Sequence, residues 1–158
     1  MKKKIGIIGL GNPLQRDDGI GILLLHYLYE HKKSLTKNID FIDGGTSAMN
    51  LLHLLGKFDT VFVIDAVDFK GKPGETKTFS LEEVKNQRMQ FFFSTHEPDF
   101  LTLTAFLKKI GNLPKQVVFF GVQPKDVTYG NGLSVEITRV FPSIKKQLLK
   151  EIKALKTS

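Results

Sequence analysis

The amino-acid sequence predicts an α/β fold, a three-layer α/β/α sandwich around a central parallel sheet of five or six strands. Short apolar runs alternate with segments whose apolar residues recur at helical spacing, the order typical of a parallel sheet. One run, Val61–Ile64, is continuously apolar, as expected for a strand covered on both faces. A chain of 158 residues without repeats or long linkers is expected to form one domain, residues 1–158.

The first half of the chain predicts two strand–helix pairs. Ile5–Gly9 is a short apolar strand that ends at a Gly-Asn-Pro turn, and helical spacing of apolar residues predicts a helix over Gly19–Lys33. A second strand over Ile39–Asp43 stops at the glycine pair Gly44–Gly45. A second helix is expected over Ser47–Leu55.

The second half continues the alternation. Phe58–Ala66 predicts a third strand, and Thr76–Ser80 predicts an extra strand near an edge of the sheet. Pro98–Ile110 predicts a helix with proline in its first turn. Gln116–Val122 predicts a further strand, and Leu133–Lys156 predicts the last helix.

The composition excludes several classes of site and partner. The chain has no cysteine, which rules out thiol nucleophiles, thiolate zinc sites and disulfides and makes the cytoplasm the expected location. No apolar run approaches the roughly 18–20 residues of a transmembrane helix, so no membrane insertion is expected. The net charge of +7 lies largely on the closing helix, where Ser134 is the expected cap and lysines form a solvated face. No nucleic-acid partner is therefore expected.

Motifs for nucleotide binding and serine hydrolysis are incomplete or missing. Gly9–Gly11 begins like a dinucleotide-binding fingerprint, but Leu14 occupies the third glycine position and acidic residues follow. The chain has no Walker-type phosphate loop, no Gly-x-Ser-x-Gly elbow and no His-Glu-x-x-His motif. Both function classes therefore lose support.

Acidic residues follow or end three of the predicted strands. Asp17 and Asp18 lie in the loop after the first strand, Asp43 closes the second, and Asp65 lies within the end of the third. Since ligands of open α/β sheets bind beyond the carboxyl ends of the strands, we expect these carboxylates at one edge. A carboxylate in an apolar strand needs a ligand, a metal or a hydrogen-bond partner, because an unpaired charge there is costly. The alternative is that these residues cap helices or hold loops together.

Among the four histidines, His96 is the candidate for a site. It lies in the polar stretch Ser94–Pro98 before a predicted helix, whose dipole disfavours the charged imidazolium. Because neutral imidazole binds metals, one histidine and two aspartates make a reasonable ligand set for zinc or nickel with one open position. His26, His31 and His53 lie on predicted helices, where surface roles suffice, and a surface role is also the alternative for His96.

Several stretches of the chain, taken together, resemble the hydrogenase maturation endopeptidases in both order and spacing. The resemblance runs from Ile5 to the C-terminal helix. It rests on Gly9–Gly21 (GLGNPLQRDDGIG), Asp43–Thr46 (DGGT), Ile64–Asp68 (IDAVD), His96, Gly121–Pro124 (GVQP) and Gly132–Ser134 (GLS). The first stretch is long and specific, and the others agree with it.

The resemblance implies a function and a site. Members of that family remove a short C-terminal extension from the large subunit of nickel–iron hydrogenases after the metal centre has been inserted. By residue-wise match, Asp18, Asp65 and His96 would form the catalytic site and hold the nickel, with Asp18 where the family carries Glu or Asp. The nickel would be carried by the substrate, and cadmium or zinc would be expected to substitute for it in vitro.

The same resemblance implies a partner and a refinement of the fold. The partner would be a hydrogenase large-subunit precursor, and the enzyme is expected to be a monomer. The sheet would be mostly parallel with one antiparallel strand, for which Thr76–Ser80 is the candidate.

Hydrolysis would need an activated water, and the sequence leaves two routes open. The water can be metal-bound, or a carboxylate base can hold it, so the peptidase is metal-dependent or aspartic in type. Asp17 and Asp43 are candidates for a base or for residues that orient the ligands. Gly44, Gly45 and Thr46 are candidates for substrate binding, since glycines let backbone amides approach a substrate. The alternative for each is loop architecture.

Two other functions are compatible with the sequence. Peptidyl-tRNA hydrolases also begin like Gly-Leu-Gly-Asn-Pro, and an esterase of that kind would suit a basic chain of this size. Their motif continues with a tyrosine and Thr-Arg-His-Asn, where this chain has Gln15–Gly21, and acidic residues at the site would repel tRNA. The second alternative is a module that binds a metal or a partner without catalysis, since a fold does not determine a function.

Overall fold

Five strands form one sheet in the computed structural model, which describes residues 3–35, 38–87 and 97–155. The strands are β1 (Ile5–Leu10), β2 (Ile39–Gly45), β3 (Thr60–Ala66), β4 (Thr76–Ser80) and β5 (Gln116–Val122). Their order across the sheet is β2-β1-β3-β5-β4. The pairs β1–β2, β1–β3 and β3–β5 are parallel, whereas β4 runs antiparallel to β5. The predicted fold class is confirmed, including the single antiparallel strand.

The helices largely follow the sequence pattern, with two differences. They are α1 (Ile20–Glu30), α2 (Leu52–Leu55), α3 (Leu81–Gln87), α4 (Glu97–Lys109) and α5 (Val135–Leu155). The helix predicted over Ser47–Leu55 is a 3-10 turn, Ala48–Leu51, followed by the single turn of α2. α3 is an additional helix that the apolar spacing does not predict. Ser80 and Glu83 cap it with reciprocal bonds, Ser80 N–H to Glu83 Oε2 (2.6 Å) and Glu83 N–H to Ser80 Oγ (3.2 Å).

Alternation along the strands builds a core on each face of the sheet. In β3, Phe62 and Ile64 pack with α1 and α5, while Val61 and Val63 pack with α2, α3 and α4. All four of these strand residues are fully buried. The three layers that the alternation of elements predicts are therefore present.

The closing helix has the predicted amphipathic pattern. Ile144, Leu148 and Ile152 are buried against the sheet, and Lys146 and Lys150 are exposed. Ser134 precedes the helix, and its carbonyl oxygen accepts a hydrogen bond from the N–H of the residue four positions later. Within the described residues, no helix is both long and apolar enough to cross a membrane.

Glycines of the first motif set the position of α1 on the sheet. A Cβ on Gly21 would overlap the carbonyl oxygens of Leu10 and Ile64, and one on Gly9 would lie 2.6 Å from the carbonyl oxygen of Gly21. Only glycine at these two positions allows the start of α1 to lie against the ends of β1 and β3. The loop that precedes α1 is thereby held at the carboxyl edge of the sheet, the edge at which the parallel strands end.

Candidate active site

Asp18 lies in a 3-10 turn, Arg16–Gly19, between β1 and α1. Its side chain is buried, with 6% of the residue exposed, and its Oδ2 accepts a hydrogen bond from the backbone N–H of Asn12 at 2.9 Å. The loop is closed tightly, because Gly11 has φ +143° and a Cβ there would overlap the carbonyl oxygen of Asp18. The turn contacts β3. The local sequence thus fixes one carboxylate against the neighbouring strand.

Asp65 lies at the carboxyl end of β3, in register with Gly121 of β5. Only 4% of the residue is exposed. Its neighbours Ile64 and Ala66 both pack on the α1 and α5 face, so alternation directs Asp65 to the face covered by α4. The strand that bears this buried carboxylate is the one that the Asp18 turn contacts.

His96, the third residue of the predicted site, lies outside the described residues. It immediately precedes Glu97, the first residue of α4. α4 packs on the Asp65 face of the sheet through Phe100 and Leu103. Within residues 3–35, 38–87 and 97–155, no three His, Asp, Glu or Cys side chains are grouped so that they could hold a metal ion.

Asp17 has a different environment from its neighbour Asp18. It is 1% exposed, and its carboxylate accepts four hydrogen bonds. Oδ2 binds the N–H groups of Lys125 and Asp126, both at 2.9 Å, and Oδ1 binds the N–H of Ser134 at 2.7 Å. The Ser134 hydroxyl donates the fourth, to Oδ2 at 2.8 Å. This arrangement supports a structural role: Asp17 ties the loop after β5 and the start of α5 to the Asp18 turn.

The sequence could not indicate these partners of Asp17. They lie 108 to 117 residues later in the chain and, apart from the predicted helix cap Ser134, carry no motif. The two loops come together in the fold because β1 and β5 are parallel strands on either side of β3, so both loops leave the same edge of the sheet.

Asp43 is exposed and lies on the other face of the sheet from Asp65. It is in register with Gly9 of β1, which in turn is in register with Ile64, the residue before Asp65. Two strand spacings of roughly 4.8 Å separate the backbones of Asp43 and Ile64. The Asp43 Oδ1 accepts the N–H of Gly45 at 2.9 Å. The structure therefore places Asp43 at the predicted edge but does not bring it together with Asp65.

The rest of the second motif shapes the end of β2. Gly44 is buried, and a Cβ there would lie 2.6 Å from the side chain of Leu10. Gly45 has φ +53° and accepts the N–H of Gly11 at 2.9 Å, so the β2 end is tied to the loop that carries Asp18. Thr46 is exposed. These contacts explain why glycine occupies positions 44 and 45, and Thr46 stays accessible to a substrate.

The three remaining histidines are on the surface. His26 lies on the outer side of α1, His31 follows that helix, and His53 lies on α2, and all are exposed. The His31 ring nitrogen Nδ1 is 2.8 Å from the carbonyl oxygen of Tyr27. The surface interpretation of these residues agrees with the structure.

The described part of the site is a pair of buried carboxylates, Asp18 and Asp65, borne by two contacting elements at the carboxyl edge. Buried carboxylates are stabilised by a cation, by a shared proton or by hydrogen-bond donors. Aspartate oxygens together with an imidazole nitrogen form a ligand set that borderline divalent metals accept. The arrangement can thus bind a cation or hold a water molecule beside a substrate carbonyl group.

Comparisons with known proteins agree on one family. A family model described as hydrogenase maturation protease (HycI) matches residues 22–151. The hydrogenase expression/formation protein HupD of Thiocapsa roseopersicina is 31% identical over 147 residues, which are 92% of this chain and 66% of that protein. A Methanocaldococcus jannaschii protein that bears the name of a hydrogenase maturation protease is 34% identical over 157 residues, 96% of this chain and 98% of that protein.

A solved structure adds agreement in the fold. The hydrogenase maturating endopeptidase HybD of E. coli superposes with a TM-score of 0.82 at 25% identity, over 96% of this chain and 93% of that chain. These similarities favour a peptidase over a peptidyl-tRNA hydrolase and over a non-catalytic module. The family model spans most of the sequence, and the Methanocaldococcus relative matches along nearly its full length. The chain therefore belongs to the hydrogenase maturation protease family, a family of peptidases.

Proposed function

We propose that the protein is an endopeptidase that removes the C-terminal extension from a nickel-loaded large-subunit precursor of a nickel–iron hydrogenase. The observation that carries the proposal is the burial of Asp65 at the end of an apolar strand that the Asp18 turn contacts. Family membership supplies the reaction class and the class of partner. The proposed location of this reaction is the cytoplasm.

Nickel carried by the substrate would be recognised by Asp18, Asp65 and His96. Two carboxylates desolvated at one edge favour a cation, because a ligated cation offsets the cost of burying their charge. His96 precedes α4, which covers the face of the sheet toward which Asp65 is directed. Three protein ligands would leave positions for donors that belong to the substrate, so the metal would serve as the recognition element.

The reaction itself is hydrolysis of one peptide bond. The oxygen of a water molecule bonds to the carbonyl carbon, the C–N bond breaks, and the departing amine takes up a proton. The backbone N–H of Asn12 orients the Asp18 carboxylate through Oδ2. An aspartic mechanism would use Asp18 or Asp65 to take the proton from water, and a metal-dependent mechanism would use the substrate's nickel to lower the pKa of that water.

The test is mass spectrometry of the large-subunit precursor after incubation with the protein. The substrate is the nickel-loaded precursor from the same organism, with the nickel-free precursor beside it. We expect loss of one defined C-terminal peptide from the nickel-loaded form alone. Asp18→Asn, Asp65→Asn and His96→Ala should each lower the rate by a factor of at least about 100, the range for loss of an acid–base group.

Matched controls separate the site from general effects of charge. Asp40→Asn removes a carboxylate that is exposed on β2 and paired with Lys4, and His53→Ala removes an exposed histidine. Both should cleave at the wild-type rate. Equal cleavage of nickel-loaded and nickel-free precursors would contradict nickel recognition, and full activity of Asp65→Asn would remove that residue from the reaction.

A further inference from the structure

A pocket of about 410 Å³ opens at the carboxyl edge of the sheet, beyond the ends of β3 and β5. It is lined by Asp68, Lys70, Gln123, Pro124, Lys125 and Val127. Asp68 follows β3 by two residues and Gln123 follows β5 directly, so the pocket lies at the same edge as Asp18 and Asp65. Its volume is in the range of sites that take small ligands or a few residues of a peptide.

A buried glutamine holds the wall of this pocket in place. Gln123 is 7% exposed, and its Oε1 accepts the N–H groups of Phe69 (2.9 Å) and Gly71 (3.0 Å). Its Nε2 donates to Asp68 Oδ1 at 3.1 Å. The backbone of Gln123 also pairs with the Gly74–Glu75 segment. The loops after β3 and β5 are therefore fastened to each other, and the pocket is preformed.

The pocket is lined by two positive side chains, Lys70 and Lys125, and one negative side chain, Asp68. Asp68 is matched by Lys70, whose Nζ lies 2.9 Å from Oδ2, and by the amide of Gln123 on the other oxygen. The side chain of Lys125 is exposed, and among the described residues it forms no ion pair with a carboxylate. One positive charge is thus available to a ligand, and the natural complement is a carboxylate.

Hydrogen bonds link the wall of the pocket to the turn that carries Asp18. Asp17 accepts hydrogen bonds from the N–H groups of Lys125 and Asp126 and is followed in the chain by Asp18. Four hydrogen bonds on one buried carboxylate fix the position of the Lys125 backbone relative to the Asp18 turn. The pocket therefore has a fixed position relative to the Asp18 turn, at the same edge of the sheet.

We propose that this pocket is a subsite for a carboxylate of the substrate's C-terminal extension, with the Lys125 ammonium as its ion-pair partner. The inference rests on the proposed function. A folded domain cannot enter a pocket of this size, whereas a chain end of a few residues can. Val127, which is half-exposed at 47%, adds an apolar wall for the aliphatic part of that segment. The carboxylate can be the terminal α-carboxylate of the extension or an acidic side chain within it.

The experiment measures KM and kcat for cleavage of the nickel-loaded precursor by Lys125→Gln. We expect KM to rise roughly three- to tenfold with kcat unchanged, as for loss of one charged contact in a partly open pocket. Lys125→Arg, which keeps the charge, should stay near the wild-type KM. Lys57→Gln is the matched control, because Lys57 is exposed before β3, at the opposite edge of the sheet. The urea midpoint of Lys125→Gln should equal that of the wild type.

Two altered substrates distinguish the sources of the carboxylate. One precursor ends in an α-carboxamide, and the other has the acidic residues of its extension replaced by amides. The substrate that lacks the carboxylate bound by Lys125 should have a higher KM than the unaltered precursor when wild-type protein cleaves it. The Lys125→Gln substitution should not raise that KM further. A raised KM with neither substrate would overturn the proposal.

The outcomes also separate this inference from the proposed function. If the wild-type protein cleaves the precursor and Lys125→Gln has the same KM, the subsite is wrong while the proposed function stands. If the wild-type protein cleaves no nickel-loaded precursor, the proposed function fails and the subsite falls with it.

Discussion

The substitution Asp17→Asn tests whether the buried Asp17 carboxylate holds the fold together around the site. It preserves the size of the side chain but removes its charge. The carboxylate accepts hydrogen bonds from Lys125, Asp126 and Ser134, three of them from backbone N–H groups at 2.7–2.9 Å. An amide has one acceptor oxygen, so its NH₂ group must face at least one of these donors.

The magnitude follows from this geometry. Leaving one buried N–H unpaired costs about 1–3 kcal/mol, and each retained bond weakens by about 1 kcal/mol when its acceptor loses the charge. Removal of the buried charge returns part of its desolvation cost. The expected net loss is about 2–4 kcal/mol in the free energy of unfolding.

Urea unfolding followed by circular dichroism measures this loss. Asp43→Asn is the matched control, because Asp43 is exposed and asparagine can still accept the N–H of Gly45, so about 0.5 kcal/mol or less is expected. A free energy of unfolding of Asp17→Asn within about 1 kcal/mol of the wild type would refute the structural role assigned to this residue.

Two further predictions concern packing and pH. Gly21→Ala places a Cβ on two strand-end carbonyl oxygens and should lower the free energy of unfolding by about 2–3 kcal/mol in the same urea assay, while Leu23→Ala at an exposed position of the same helix should cost clearly less. The Lys70 side-chain hydrogen bond, opposed by burial, lowers the pKa of Asp68. A lowered folded-state pKa stabilises the protein above the unfolded value of about 3.9, and this stabilisation is lost as pH falls through the folded pKa. Lys70→Gln should raise the Asp68 pKa in a carboxyl-carbon NMR titration, and an unchanged pKa would show that the ion pair does not set it.

β1, β3 and β5 could be predicted from the sequence because each is a short, mostly apolar run with a clear stop. β4 is mostly polar, and its position after the turn-like Gly71–Gly74 stretch indicated it. The prediction over Thr76–Ser80 and that over Gln116–Val122 agree with β4 and β5 residue for residue. β2 extends two residues beyond its predicted end, because Gly45 still pairs with Leu10 of β1 across a register shift that skips Gly44. Apolar runs report burial on both faces, and burial decides where a strand forms in a sheet of this kind.

The helices were harder to predict than the strands where local helix propensity and tertiary packing compete. The predicted helix over Ser47–Leu55 is a 3-10 turn followed by one α-helical turn. Together they pack Ala48, Leu51 and Leu55 into the core without a long helical repeat. α3 carries a sequence signal that is independent of apolar spacing. The Ser80-Leu-Glu-Glu83 stretch is a capping box, and its reciprocal hydrogen bonds are present.

The candidate site could be predicted in outline but not in the division of roles. The sequence predicts that Asp18, Asp43 and Asp65 lie where the parallel strands end, and in the structure all three lie at that edge of the sheet. The face of the sheet on which each side chain lies depends on the register of the strands. Gly9 of β1 is in register with both Asp43 and Ile64, so Asp43 lies on the face of Ile64 and not on that of Asp65. This register could not be predicted from the single sequence, because the pairing of strands depends on contacts between residues that are far apart in the chain.

Asp17 and Asp18 show why adjacent residues of one type cannot be assigned by composition. A 3-10 turn has about three residues per turn, so consecutive side chains leave it in directions roughly a third of a turn apart. One carboxylate therefore meets the loop after β5 and Ser134, and the other meets the Asn12 N–H beside β3. The first contact fixes the turn, and the fixed turn determines where the second carboxylate lies. Loss of Asp17 should then disturb the candidate site only by releasing this turn, whereas loss of Asp18 removes one of the carboxylates proposed to form it.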